Sequence, residues 1–386
     1  MPASPFLAVQ GAVPAEGVDA GVPGHYGNPN VEQRKLEGGT AIVDLSDRGV
    51  VTVTGPDRLS WLHSMASQAL DRLAPGASAE ALFLDASGRI EHVVHIVDDG
   101  ATTWMITEGA DAAPLTAWLD RMRFMLRVEV ADRSDEYGVL GAMSSETLDA
   151  AAPAEAPNGV ALDWLDPWSS PPAPGAHRYA ADAGHPASAW HFIERIVTRA
   201  ALADAAAAVR EGRVTAAGSL AAEALRIAAW RPRHATEVDE KSIPHELDWL
   251  QSAVDLGKGC YKGQETVAKV LNLGRPPRRL VLLHLDGSDT VLPAPGDVVV
   301  GEKVRPEPEP GEAPERRPVG HVTSSAIHHE LGPIALAVIK RQVPAGLTLI
   351  VESHGTDVAA AQVEIVPADA GAAVDVPRLP RLGIRK

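Results

Sequence analysis

The chain has 386 residues and a mass of 40.6 kDa, enough at roughly 150 residues per domain for two or three domains and a buried core. Thirty-five Lys and Arg against 51 Asp and Glu give a net charge of −16, which argues against nucleic acid or anionic lipid as a bulk partner. The single cysteine, Cys260, excludes an intrachain disulfide and a multi-cysteine zinc or iron–sulfur cage, and no apolar run approaches the roughly 18 residues of a membrane span.

Residues 1–30 are rich in Gly, Pro and Ala and read as an extended arm. The first Lys or Arg is Arg34, so this stretch has neither the charged start of a secretory signal nor the arginines of a presequence, and a cytoplasmic protein is expected. Residues 50–54, Val-Val-Thr-Val-Thr, read as a strand. Gly55-Pro56-Asp57 ends it and opens a helix in which Leu59, Leu62, Met65, Ala66, Ala69 and Leu70 follow the 3.6-residue period. The apolar run 81–84, the turn 85–88 and residues 89–97 form a hairpin by turn chemistry. Residues 104–106 read as a short strand and 113–126 as a helix.

A second unit begins near Tyr137, with a long Ala/Pro/Ser connection over 150–174. A strand at 191–197 and helices at 200–210 and 217–230 follow. Five short strands, at 280–285, 297–300, 320–324, 334–339 and 348–352, are punctuated by Gly/Pro turns, as a small antiparallel barrel requires. The polar loop 307–318 interrupts them, and a basic tail over 377–386 ends the chain.

Three segments could carry chemistry. In Gly257-Lys258-Gly259-Cys260-Tyr261-Lys262-Gly263-Gln264-Glu265, glycines surround a thiol flanked by two ammonium groups, which favour the reactive thiolate. A tight turn around a buried cysteine fits the same residues; a dinucleotide fingerprint does not, since the glycine spacing is wrong and no βαβ unit surrounds it. The acidic stretch 236–246, with Glu237, Asp239, Glu240 and Glu246, could accept hydrogen bonds from a heterocycle or be a solvated loop. Arg275, Arg278 and Arg279 could meet an anionic ligand or cover a surface. His92 and His95 should face opposite sides of a strand, and His328 and His329 should diverge, so no metal site is expected.

Lys258-Gly259-Cys260-Tyr261-Lys262-Gly263-Gln264-Glu265 resembles the K-G-C-[FY]-x-G-Q-E signature of the YgfZ family, folate-binding relatives of the glycine cleavage aminomethyltransferase. Residues 50–70 are similar to that family's first strand and helix, and Leu225-Arg226-Ile227 to its L-R-[IL] helix. Ile243-Pro244-His245-Glu246 is similar to its x-P-x-E stretch, and Val319-Gly320-His321-Val322-Thr323-Ser324 to the G-x-[VI]-T-S strand of its barrel.

The resemblance implies an α+β, three-lobed aminomethyltransferase-like fold around a folate pocket, with a C-terminal antiparallel β-barrel. Its parts would be an arm at 1–30, a discontinuous folate-binding lobe of 31–136 with 213–275, a ferredoxin-like lobe at 137–212, a barrel at 276–366 and a tail at 367–386. It implies a tetrahydrofolate-binding accessory role in assembling or repairing iron–sulfur enzymes, which indirectly supports tRNA modification, and iron–sulfur client proteins as partners of a monomer. The alternative is a folate-dependent aminomethyl or methyl transferase or a demethylase. Cys260 is the expected functional thiol. Glu246, Arg278, Arg279, Met65 and His92 are the expected folate contacts, in a pocket between the first two lobes. Two departures from the relatives stand out. Glu91 and His92 occupy the place of an aspartate pair whose second member is catalytic in aminomethyltransferases, and Ala228 stands where the L-R-x-E helix has its glutamate. A histidine is largely uncharged near neutral pH, so glycine cleavage activity is not expected.

Overall fold

Two five-stranded sheets and a closed six-stranded barrel carry the fold in the computed structural model, which describes residues 2–288, 290–303 and 315–374. Residues 307–314 of the polar loop and the basic tail lie outside the described residues.

The first sheet is antiparallel, in the order Ser78–Leu84, Ile90–Asp98, Thr102–Thr107, Gly49–Thr54, Glu129–Asp132. Its period-2 alternation splits each strand between two cores. Val51, Val53, Phe83, Val94, Ile96 and Met105 pack against the helices Arg58–Met65 and Ala112–Met122. Val50, Leu82, Val93, Val97, Trp104 and Ile106 face the central core with Trp164, Trp168, Trp190 and Trp249. Between Ile90 and His92 the register slips by one, leaving Glu91 without a partner on Ser78–Leu84. This bulge turns both Ile90 and Val93 toward the central core.

The second sheet runs Asp163–Leu165, Ile193–Thr198, Tyr137–Ala142, Ile42–Asp44, Ala216–Ala217. Ile42–Asp44 and Ala216–Ala217 come from segments expected in the first lobe, yet their hydrogen bonds are to each other and to Tyr137–Ala142. The arm is not an extended lead-in. Phe6 and Val9 are buried against Ile42 and Leu202, a two-stranded ribbon joins Val13–Pro14 to Pro23–His25, and Asp19 pairs with Arg233 at 2.8 Å. Apolar burial and one ion pair outweigh the looseness that Gly and Pro suggest.

The helix expected over 59–70 ends at Met65, because Ala66 bridges to Phe83 and Ser67 bonds to Leu82 and Ala253. The barrel order is Arg278–Leu285, Gly332–Lys340, Glu315–His328, Val298–Lys303, Leu349–Ser353, Thr356–Glu364. Its sixth strand holds three alanines in a row that break up the β-branched residues Thr356, Val358 and Val363, so it gave no strand signal. Among the described residues no helix is long and apolar enough to cross a membrane.

One buried joint fastens the barrel to the rest. Arg226, on the helix Ser219–Ala228, donates from Nη1 to Glu237 Oε2 at 2.9 Å and from Nη2 to Ser324 Oγ at 3.0 Å. Glu237 also accepts from Arg233 N, Thr236 Oγ1, Thr323 Oγ1 and Ser324 Oγ at 2.7–2.9 Å. A second joint pairs Glu246 with Arg278, the first residue of the barrel.

Losing one partner of a buried pair costs up to about 3–5 kcal/mol, here through the donors that Glu237 would leave unanswered, since Arg226 keeps Glu223. Glu237→Leu should therefore lower unfolding free energy by about that amount in a denaturant titration. An unchanged midpoint would mean that the barrel is held by its apolar contacts alone.

Candidate functional site

A cleft opens between the two sheets, walled by Val93, His95, Thr107 and Glu108 from the first, Trp190, Phe192 and Glu194 from the second, and Glu223, Arg226, Arg231 and Arg233 beyond. Its empty space is about 760 Å³, counted out into the open mouth. Trp190 and Phe192 stack with ring centres 4.8 Å apart and form an aromatic wall.

The cleft is lined by five carboxylates, Asp19, Glu108, Asp166, Glu194 and Glu223, and by four arginines, Arg48, Arg226, Arg231 and Arg233. Arg233 reaches both Glu108 oxygens at 2.8 and 2.9 Å, and Arg48 shares that carboxylate. Burial opposes the charge on Glu108, but the two guanidiniums overcome it and hold its carboxyl well below the usual range. Glu223 is likewise lowered to about 2 by Arg226, against burial. Asp166 goes the other way: burial raises it, although Arg231 Nε and Trp190 Nε1 donate to it at 3.0 and 2.7 Å. Arg231 also reaches Glu80 at 2.8 Å and stacks 5.0 Å over Trp168. Its Nη1 is buried without a partner, a donor left over in the cleft wall.

His95 lies flat on Trp164, with ring centres 3.8 Å apart and planes 3° from parallel, and its Nδ1 is 2.7 Å from Glu194. Burial disfavours its charge, but Glu194 and Glu80 outweigh burial and raise its pKa above the ordinary value.

The signature loop lies outside this lining. Lys258 is turned away from the thiol: its Nζ donates to the carbonyls of His63, Ala66 and Gln68, closing the C-terminal end of Arg58–Met65. Burial lowers its pKa to about 8. Lys262 Nζ pairs with Glu91 at 3.0 Å and sits 5.9 Å over the Trp118 ring, so neither ammonium is held at the sulfur. Tyr261 is buried in the central core. Gly263 has φ +86°, and a Cβ there would come within 2.7 Å of Asp85 O and 2.9 Å of the Gly88 Cα, so the hairpin turn and the loop approach as closely as only glycine allows. Gln264 Nε2 closes the loop on Lys258 O at 3.2 Å. Cys260 projects from it, exposed, between open Gly259 and these fixed residues; Glu265 is exposed as well. The alternative of a buried cysteine is thereby removed.

None of Glu246, Arg278, Arg279, Met65 and His92 lines the cleft. Glu246 and Arg278 are brought together, but each is spent on the other, with Arg278 also gripping Asp239. Asp239 is thereby held well below the usual carboxylate range. The acidic stretch is an ion-paired joint here rather than a solvated loop. Arg279 points from the opposite face of its strand, buried, to Val343 O, Gln362 and Glu364. Met65 packs in the outer core. His92 faces away from His95, bonds Asp111 at 2.8 Å and touches Trp118. His328 and His329 do not diverge; their rings stack at 4.6 Å. Arg231, Arg233, Glu223 and Glu108 went unnoticed in the sequence. The one available signal was Trp230-Arg231-Pro232-Arg233, two arginines placed directly after an apolar helix.

A family profile described as the glycine cleavage T-protein C-terminal barrel domain matches residues 278–369, the segment that forms the closed barrel. The overall fold is that of an aminomethyltransferase T of the glycine cleavage system from Bartonella henselae: TM-score 0.67, 16% identity, covering 93% of this chain and 94% of that one. An aminomethyltransferase of Frankia alni is 26% identical over 84% of each chain. A mitochondrial protein of Mycosarcoma maydis, named an iron–sulfur cluster assembly factor IBA57 homolog, is 25% identical over 64% of this chain and 58% of its own. A chloroplastic protein of Arabidopsis thaliana is 24% identical over 74% of this chain, which spans 65% of its length.

His95 yields a pH test. A histidine whose folded pKa is raised stabilises the fold fully below its unfolded pKa of about 6.5 and loses that contribution as pH rises through the folded value. The stability gap between wild type and His95→Gln should therefore be larger at pH 6 than at pH 9 in paired denaturant titrations. An equal gap at both pH values would mean that the ring acts by stacking alone.

Proposed function

We propose that this chain is a tetrahydrofolate-binding accessory protein for iron–sulfur enzymes, with the cleft holding the folate and Cys260 acting as a separate, outward-facing thiol. The observation that carries the reading is the signature loop: Lys258, Tyr261, Gly263 and Gln264 each have a structural task, and what they leave projecting is the sulfur. Relatives named as iron–sulfur cluster assembly factor homologs, in Mycosarcoma maydis and Cryptococcus neoformans, point the same way.

The cleft residues suit a reduced pterin. Such a ring presents both N–H donors and a carbonyl acceptor, and a wall of ionised carboxylates and guanidiniums can answer both. Glu223 and Asp166 would accept from the ring, the spare Nη1 of Arg231 would donate to it, and Trp190 with Phe192 would cover its face. Bound tetrahydrofolate would supply one-carbon carrying chemistry. The protein's own part is to orient the ring and to keep bulk water from the charged wall.

A one-carbon transferase is the second reading, favoured by the relatives named aminomethyltransferase. Against it, the Ile90–Asp98 strand gives Val93 and His95 to the cleft and no carboxylate, while Glu91 is taken by Lys262 at the surface. Turnover of an aminomethylated lipoyl carrier with tetrahydrofolate should stay at background; turnover abolished by His95→Ala would establish the transferase instead.

Two measurements test the main reading. Tetrahydrofolate titrated against tryptophan fluorescence should bind at least tenfold more weakly to Arg231→Met, the loss of about 1.5–3 kcal/mol for a charged hydrogen bond. Undiminished affinity would place the folate elsewhere. Cys260→Ala should keep its melting temperature and folate affinity, since exposed substitutions usually stay within about 0.5 kcal/mol. Cells carrying only that variant should nevertheless lose the activity of an iron–sulfur enzyme that fails when the gene is deleted. Normal activity there would remove the thiol from the function.

A further inference from the structure

The arm lines a second hollow, which shares only Glu108 with the cleft. Pro2, Ala3, Val18 and Ala20 of the arm and Ala110 and Ala235 of the body give it apolar walls, and Asp47 lies among them. Its empty space is about 860 Å³ counted out into the open mouth, in the range of small-molecule pockets.

The charges around it do not balance. Asp19, Glu108, Arg48 and Arg233 are the charged groups that act on Asp47, so three carboxylates stand against two guanidiniums. Both guanidiniums are already engaged. Arg48 and Arg233 share Glu108, and Arg233 also reaches Asp19 at 2.8 Å. Arg48 keeps a buried Nε without a partner, but it belongs to the cleft lining and not to the hollow. Asp47 is the carboxyl left over. Its Oδ1 is sealed from water with no hydrogen-bond partner, and neither oxygen has an ion pair among the described residues. Burial raises the carboxyl to about 7, against the pull of Arg48 and Arg233. An unanswered buried carboxyl destabilises a fold, and this one lies where a ligand can answer it.

We propose that the hollow under the arm binds a small aliphatic amine as its ammonium ion, with Asp47 accepting from the nitrogen and the Pro, Val and Ala walls covering the carbon chain. One positive charge brings the three carboxylates and two guanidiniums into balance, and a charge-assisted hydrogen bond is the strong kind. A neutral donor answers the hydrogen bond and leaves the charge. An anion meets three carboxylates. A metal ion lacks ligands: among the described residues no three His, Cys, Asp or Glu converge to hold one. The site stands apart from the function proposed above; Glu108 separates its occupant from that of the cleft.

Without an amine, Asp47 leaves a signature in stability. A carboxyl whose folded pKa lies above its unfolded value of about 3.9 stabilises the fold below that value, and the contribution is lost as pH rises through the folded pKa. The melting temperature of Asp47→Asn should therefore gain on wild type from pH 4 to pH 8. Saturating amine should narrow the gap at pH 8 by stabilising wild type alone.

The binding test titrates the full chain with n-butylammonium chloride by calorimetry, at constant ionic strength and in two buffers of different ionisation heat. Wild type should show saturable binding in the millimolar range or tighter. About one proton should be released per amine at pH 6 and none at pH 8.5, because the ammonium takes the place of the carboxyl proton. Asp47→Asn should bind at least tenfold more weakly at pH 8.5. Ala110→Phe, which fills the hollow from its exposed rim and leaves Asp47 untouched, should weaken binding as much. n-Butanol, a similar chain without the charge, should not compete. Absence of binding by wild type, undiminished binding by either variant, or competition by n-butanol would overturn the proposal. Displacement by magnesium chloride would assign the site to a metal ion instead. An Asp47→Asn variant that melts below wild type at pH 8 without amine would show that the carboxyl is already answered, and would also overturn it.

Discussion

The architecture depends on how charge is buried at the joints. Arg226 and Glu237 are both shut away from water; Arg226 is shared between Glu237 and Glu223, and four further donors complete the Glu237 carboxylate. Those donors come from the loop after the helix and from Thr323 and Ser324 of the barrel. The pair therefore specifies where the barrel sits as well as contributing to its attachment. Glu246 and Arg278 do the same at the barrel's first strand.

The cleft follows from the same network. Arg226 leads to Glu223, Arg233 to Glu108 and Asp19, and Arg231 to Asp166 and Glu80, so the wall is a continuation of the joint. Low dielectric makes such a wall both strong and intolerant of an unmatched group. Arg231 Nη1 is such an unmatched group, and it belongs to a residue of the cleft lining. A ligand that accepts there completes a network the protein alone leaves open.

The thiol is arranged on the opposite principle. Its neighbours are immobilised by backbone capping, core packing and a glycine contact, and the charges beside it in sequence are drawn off to His63, Ala66, Gln68 and Glu91. The cleft and the cysteine are therefore two separately built features. The bulge at Glu91 touches both: it turns Val93 into the cleft and leaves Glu91 free to hold Lys262.

Local pattern alone pointed to the strands of the first hairpin, the helices it placed at 200–210 and 217–230 (Arg199–Arg210 and Ser219–Ala228 in the structure), five of the six barrel strands and the cysteine loop, because each has its own period or turn chemistry. The family resemblance, not local pattern, singled out Arg226, Glu246, Thr323 and Ser324. What those residues touch was decided by tertiary structure. Glu246 and Arg278 look like ligand-binding groups in a line of sequence; they neutralise each other once the fold brings them within 3 Å. His92 and His95 differ by three positions, and only the placement of the second sheet decided which of them reaches the cleft. The arm was read as loose because composition reports backbone propensity and says nothing of the pocket between Ile42 and Leu202 that buries Phe6. Arg231, Arg233, Glu108 and Glu223 were illegible for the same reason. Their charge is ordinary in sequence and becomes a site when four distant segments exclude the water between them.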